Sequence, residues 1–112
     1  MAHEYILLKQ NGSHPIGQIA LTKEAFEMIT RFSVEDDEGL ILDTTPLKKS
    51  IVCKIGQNKL NICVDVRVRY GKNVNQSIES LQSRIANNVF TMTDYRCSRI
   101  DVNVVGFVFN TQ

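Results

Sequence analysis

The sequence predicts an α+β domain: a two-layer sandwich in which two helices cover one face of a mixed β-sheet, in the order β-β-α-β-β-α-β. Three observations carry this expectation. Residues 59–70 alternate apolar and polar side chains without interruption. Residues 75–92 repeat apolar side chains at helical spacing. Residues 98–105 alternate again. Strand, helix and strand in that order form a crossover, so the outer two strands are expected to be parallel and the connection right-handed. The apolar faces of all three must meet, which places the helices on one side of the sheet.

The chain has 112 residues, which reads as one domain over residues 1–112. That length allows burial of about two-thirds of the surface the unfolded chain exposes. Thirteen basic and twelve acidic residues leave a net charge of +1. Strong nonspecific nucleic-acid binding needs a basic surface that releases phosphate counterions, and this balance argues against it. No apolar run approaches the ~20 residues that span a bilayer. Residues 1–10 lack a basic start followed by a long apolar core, so no secretory signal is expected. Three cysteines, Cys53, Cys63 and Cys97, stand at wide spacing with no CxxC pair. Reduced thiols in a cytoplasmic protein are the reading that fits.

Along the chain, residues 5–9 and 16–21 are apolar runs separated by Asn11-Gly12, a turn signal because both residues tolerate positive φ. A loose N-terminal hairpin is expected. Thr22 stands where a helix N-cap belongs, with Glu24 at the positive end of the dipole. Ala25, Phe26, Ile29 and Phe32 form the inward stripe of that helix. It fades over residues 33–38, where Glu35-Asp36-Asp37-Glu38 repel one another, and Gly39 is a natural stop. Alternate-position oxygen ligands and a central glycine are missing, so the acidic run is no calcium loop. Residues 40–42 are a short apolar run. Residues 50–55 read as a strand that turns through Gly56-Gln57-Asn58 and pairs antiparallel with residues 59–70.

In that long strand Leu60, Ile62, Val64, Val66, Val68 and Tyr70 face one way. Lys59, Asn61, Cys63, Asp65, Arg67 and Arg69 face the other. Alternation of this kind marks a sheet covered on one side. The following helix carries its stripe on Val74, Ile78, Leu81, Ile85, Val89 and Met92. Its other face, with Gln76, Glu79, Ser80, Ser83, Asn87 and Asn88, is polar but weakly charged. The last strand turns Ile100, Val102 and Val104 inward and Arg99, Asp101 and Asn103 outward. Gly106 marks a bulge, because Val105 and Phe107 change phase.

Chemistry is hard to assemble from these residues. His3 and His14 both lie in the N-terminal segment, far in sequence from the cysteines, and no phosphate-loop glycine pattern occurs. Cross-strand ion pairs account for Asp65 and Asp101 beside Arg67 and Arg99. Cys97 could share that face with Cys63. No catalytic, cofactor or metal residues are assigned. The candidate surface is the outward sheet face: Cys63, Asp65, Arg67, Arg69, Arg99, Asp101 and Asn103. It reads as a docking surface, flanked by open strand edges that can template another strand.

Five stretches in order resemble the alkaline shock protein family, also called the Gram-positive envelope stress response family. They are Gly17-Gln18-Ile19-Ala20-Leu21-Thr22 with Glu24, then Glu38-Gly39-Leu40, then Val68-Arg69-Tyr70-Gly71, then Met92-Thr93, and Ile100-Asp101-Val102-Asn103-Val104-Val105-Gly106-Phe107. The resemblance covers residues 16–108. Asn75 stands where many members have proline, and Asp101 and Asn103 stand where Asn and His are common, which reads as a divergent member. The resemblance implies a non-enzymatic cytoplasmic protein with no cofactor. It implies work through other proteins, including a membrane-anchored partner, at the inner face of the membrane. Envelope stress or membrane-lipid homeostasis, including fatty-acid synthesis and acetyl-CoA carboxylase, is the implied setting, and self-association is expected. The alternative reading is a small nucleic-acid-binding α/β domain with a regulatory role. Against it, no GxxG loop joins helices, and Tyr70 and Phe107 are expected to point inward or sit at strand ends.

Overall fold

The computed structural model describes residues 5–8, 19–44, 49–57 and 59–109. The elements are β1 (Tyr5–Leu8), β2 (Ile19–Thr22), α1 (Lys23–Glu35), β3 (Leu40–Leu42), β4 (Ile51–Gly56), β5 (Lys59–Arg69), α2 (Val74–Thr93) and β6 (Arg99–Val108). The architecture is the expected α+β sandwich, with one strand added. The short apolar run at residues 40–42 becomes β3, antiparallel to β5 with Leu40 opposite Val68. His3, His14 and the turn around Asn11-Gly12 lie outside the described residues.

β5 is the centre of the sheet. β4 pairs with its first half, Ile51 opposite Val64, and β3 with its second half. Both lie on the same edge of β5, because β6 runs parallel along the other edge from Asn61 to Arg69. Asp65 sits at the junction: its carbonyl accepts from the Asp43 amide at 3.1 Å and its amide donates to the Ser50 carbonyl at 2.8 Å. The sheet is therefore three strands wide, with β3 and β4 sharing one position. The parallel pairing of β5 with β6 confirms the crossover. The register shifts between Val66 and Arg67, leaving Val105 as the extra residue, next to the glycine that suggested a bulge. β1 and β2 pair antiparallel in a separate two-stranded sheet, Leu8 opposite Ile19, because Thr22 runs directly into α1.

The even side chains of β5, Leu60 to Val68, are buried under the two helices. The core adds Phe26, Ile29 and Val34 from α1, Ile51, Cys53 and Ile55 from β4, and Leu81, Ile85 and Val89 from α2. Among the helix residues expected in the core, Phe32 and Met92 are exposed, 54% and 62%. Their places are taken by Ser33, Val34 and Thr93, all buried. α1 crosses α2 here, and small side chains let the helices approach. Each buried hydroxyl donates to the carbonyl four residues back, Thr30 to Phe26, Ser33 to Ile29 and Thr93 to Val89. A hydroxyl satisfied in that way packs as a small core residue. The Ser33 oxygen also accepts from Asn88 Nδ2 at 2.8 Å, across the helix crossing.

The helix ends follow local chemistry. Asn73 caps α2, its side chain accepting from the Gln76 amide at 3.0 Å, so the helix begins at Val74, one residue before the expected start. Thr22 occupies the N-cap of α1 but makes no capping bond with its side chain. The Glu24 carboxyl takes that role: a backbone N–H and then the Thr22 hydroxyl hold its pKa below the ordinary value. Gly71 has φ +97°, which L side chains avoid, so the Tyr70-Gly71 break between β5 and α2 depends on a missing Cβ.

Candidate interaction surface

The outward face of the sheet carries the seven predicted residues, but they form four separate contacts. Asp65, opposite Asn103, is 5% exposed, and Asn103 Nδ2 donates to its carboxylate at 3.1 Å and to Cys63 Sγ at 3.2 Å. Arg67 pairs with Asp43 at 3.1 Å, a residue that directly follows β3 and is buried there. Arg69 donates to the Glu38 carbonyl. Arg99 pairs with Asp101 two residues along its own strand at 3.0 Å. The expected cross-strand ion pairs are therefore replaced. Asp65 takes an amide partner because Asn103 stands directly opposite, while Arg67 reaches sideways over the junction to Asp43. Exposed pairs such as Arg99–Asp101 contribute at most about 1 kcal/mol.

A groove of about 280 Å³ crosses this face, with Lys54, Asn61, Cys63, Arg99 and Asp101 among its lining. Cys97 is absent from it. Instead Cys97 packs against the core on the helix side, as Cys53 does, so the expectation that Cys97 could share a face with Cys63 is corrected. Burial pushes the Cys53 thiol up to about 12 and the Cys97 thiol up to about 11. All three cysteines are free. With disulfide reagent at pH 8, Cys63 is expected to react first, and Cys53 and Cys97 only once denaturant is added. Two rapidly reacting thiols would contradict this placement. Folded Cys53 keeps its proton while an unfolded thiol titrates from its ordinary 9.0. Its burial therefore lowers stability progressively as pH rises above 9.0.

Sequence reasoning missed two exposed apolar clusters. At the far end of β5 and β6, Tyr70 and Phe109 stack with ring centroids 5.0 Å apart, and both are exposed, as is Phe107. Of the two positions expected for Tyr70 and Phe107, inward or at strand ends, the structure shows the second: Tyr70 directly follows β5 and Phe107 is the last residue but one of β6. Gly71 ends β5 immediately after Tyr70, whose amide still bonds the Val108 carbonyl. Tyr70 and Phe109 each stand one residue past the end of their strand. The second cluster is Phe32 and Met92, which line one groove at the α1–α2 crossing, with the exposed Met28 one helical turn before Phe32. A signal for it existed in the sequence: Phe32 is followed at once by Ser33, Val34 and four acids, so the apolar stripe of α1 has two candidates for its last inward position.

Next to that crossing, Asp37 Oδ2 lies 3.2 Å from Arg84 and its other oxygen accepts from the Gly39 amide at 2.8 Å. The acidic run is thereby held as a turn between α1 and β3. Among the described residues, no three of His, Cys, Asp or Glu gather to hold a metal ion. Among the described residues no helix is long and apolar enough to cross a membrane.

Comparison with known proteins places these observations. No curated protein and no solved structure matches the chain. A family profile does match, over residues 19–109, from β2 to the residue after β6. The matched span includes the crossover, the Gly71 break and the bulged last strand, and the chain belongs to the alkaline shock protein 23 family, whose function is described as cell envelope-related.

Proposed function

We propose that this protein is a non-enzymatic interaction module that serves the cell envelope by binding other proteins. The observation that carries the reading is the clustering of large apolar side chains in solvent. Tyr70 and Phe109 stand ring beside ring, with the exposed Phe107 two residues before Phe109, and Phe32 and Met92 line one groove, with Met28 one turn before Phe32; none belongs to the buried core. Contiguous exposed apolar surface on a small domain marks association sites. The long edge of β6 adds a row of backbone donors and acceptors that another strand can use. In this reading the chain works in the cytoplasm at the inner face of the membrane. It is held there by a membrane-anchored partner, and it supports envelope stress response or membrane-lipid homeostasis. Self-association belongs to the same reading.

Cross-linking in the native cell, followed by affinity capture and identification of bound proteins, tests it. A reproducible protein partner is the expected result, and recovery of nucleic acid alone, or of nothing, sinks the proposal. A second reading draws on one observation: the exposed Tyr70–Phe109 pair resembles a platform on which bases stack. A gel shift that appears at low salt and fades as salt rises would favour it. The net charge of +1 favours the first reading.

A further inference from the structure

Where α1 and α2 cross, an open groove of about 370 Å³ lies beside the Ser33–Asn88 contact. Phe32 and Met92 supply its apolar surface, Asn88 lies between the helices, and Glu35 and Asp36 form the rim. Met28 precedes Phe32 by one helical turn and extends the apolar strip along α1; it is 58% exposed. Thioether and phenyl side chains left in solvent adapt readily to an irregular apolar ligand.

The charge on the groove's own lining is one-sided, Glu35 and Asp36 with no cation, while the exposed Arg31 flanks Met28 further back on α1. α1 has no basic residue in its last turn. Its terminal carbonyls carry the negative end of the helix dipole, where added acids are unfavourable. Arg84 neutralises Asp37, but among the described residues Glu35, Asp36 and Glu38 have no cationic side chain in ion-pair range. A two-fold contact between copies would press these acids together, and an anionic lipid surface would be repelled. A ligand with apolar side chains and flanking cations satisfies both features.

Building on the protein-binding role, we propose that the groove receives a basic amphipathic helix of a partner protein. Apolar side chains of that helix, spaced one turn apart, lie on Met28, Phe32 and Met92, and its Lys or Arg side chains meet Glu35 and Asp36. The probe is a labelled peptide of about 18 residues, built of Leu on one helical face and Lys on the other. Its controls are a scrambled peptide of the same composition and one with Glu in place of Lys. The Lys peptide is expected to bind the full chain at least about tenfold more tightly than either control, roughly 1.4 kcal/mol. Phe32→Ser, and separately Met92→Ser, should each weaken it about tenfold while leaving the melting temperature nearly unchanged, since both side chains lie outside the core. A joint Glu35→Lys and Asp36→Lys variant should lose affinity at low salt and much less at high salt.

Equal binding of the scrambled peptide, or unchanged affinity in both serine variants, overturns the proposal. So does a dimer of the parent that Phe32→Ser converts to monomer, which would assign the groove to a second copy. Binding to anionic vesicles that Phe32→Ser abolishes would assign it to lipid and likewise overturn it. If Phe32→Ser captures the same cellular proteins as the parent, the groove is refuted and the protein-binding role stands. If neither captures protein, the role itself falls, and the groove proposal with it.

Discussion

Replacing Phe26 with alanine is expected to lower the unfolding free energy by about 3–5 kcal/mol. The ring is fully buried. Its centroid lies 6.5 Å from that of Tyr95, in the segment that follows α2. α1 places three apolar side chains in the core, Phe26, Ile29 and Val34, and Phe26 is the largest. Truncation leaves a cavity between α1, the sheet and Tyr95, because backbone held by β-pairing on one side and α2 on the other closes poorly over it. Domains of this size have about 5–15 kcal/mol in total, so the loss is a large fraction. Urea unfolding checks it. The midpoint should fall with little change in slope, as the surface exposed on unfolding is almost the same. A loss under about 1 kcal/mol would mean that α1 is anchored elsewhere. Phe32→Ser, six residues along the same helix, is the natural contrast, since its ring is already in solvent.

The second large effect comes from Val66→Asp. Val66 is fully buried at the middle of β5, with β3 on one side and β6 on the other, opposite Leu42 and Val104. The new side chain is close in size, so the cost is electrostatic. No basic side chain occupies the core cluster to pair with it. An unpaired buried charge costs several kcal/mol even after the protein relaxes, enough to unfold a domain of ordinary stability near neutral pH. The sign with pH is definite. Desolvation disfavours the charged form, so the folded pKa of the new carboxyl lies above the unfolded value of about 3.9. The full destabilisation is present above the folded pKa and shrinks as pH falls toward about 3.9, where the carboxyl is protonated in both states. Circular dichroism of variant and parent across that range measures the difference. A gap that stayed constant with pH would show that the aspartate had reached water through a changed register. A slip of one residue would turn every odd side chain of β5 inward, Arg67 and Arg69 among them, which makes that escape costly.

How far the sequence reaches can be seen by comparing particular residues. β5 was legible because a strand has a period of two and a fixed alternation: twelve residues without a break allow one assignment of faces. α2 and the parallel crossover were legible for the same reason, since a long apolar stripe between two strands has one place to lie. The Tyr70-Gly71 break was legible because a positive φ calls for glycine. Phe32 and Met92 were not, because both end their stripes. At a helix end, the crossing angle of the partner helix decides whether the phenyl ring or the serine beside it turns inward. At that crossing Ser33 meets Asn88, 55 positions away in the chain.

The outward sheet face shows the same division. Alternation alone placed Cys63, Asp65, Arg67, Arg69, Arg99, Asp101 and Asn103 on it. Which of them pair was decided by register across β5 and β6 and by the junction of β3 with β4, both of which are contacts between distant segments. That junction buries Asp43 and brings Arg67 to it, while register sets Asn103 against Asp65 and Cys63. The sequence by itself determined the two helices, the long strand β5 and the crossover to β6, and the family to which the chain belongs, because these rest on local periodicity and on short ordered motifs. The tertiary structure alone decided which side chains remain in solvent, because exposure depends on where one element stops covering another. The Phe32 and Met92 groove at the helix crossing and the Tyr70–Phe109 pair just past the ends of β5 and β6 are both products of that geometry.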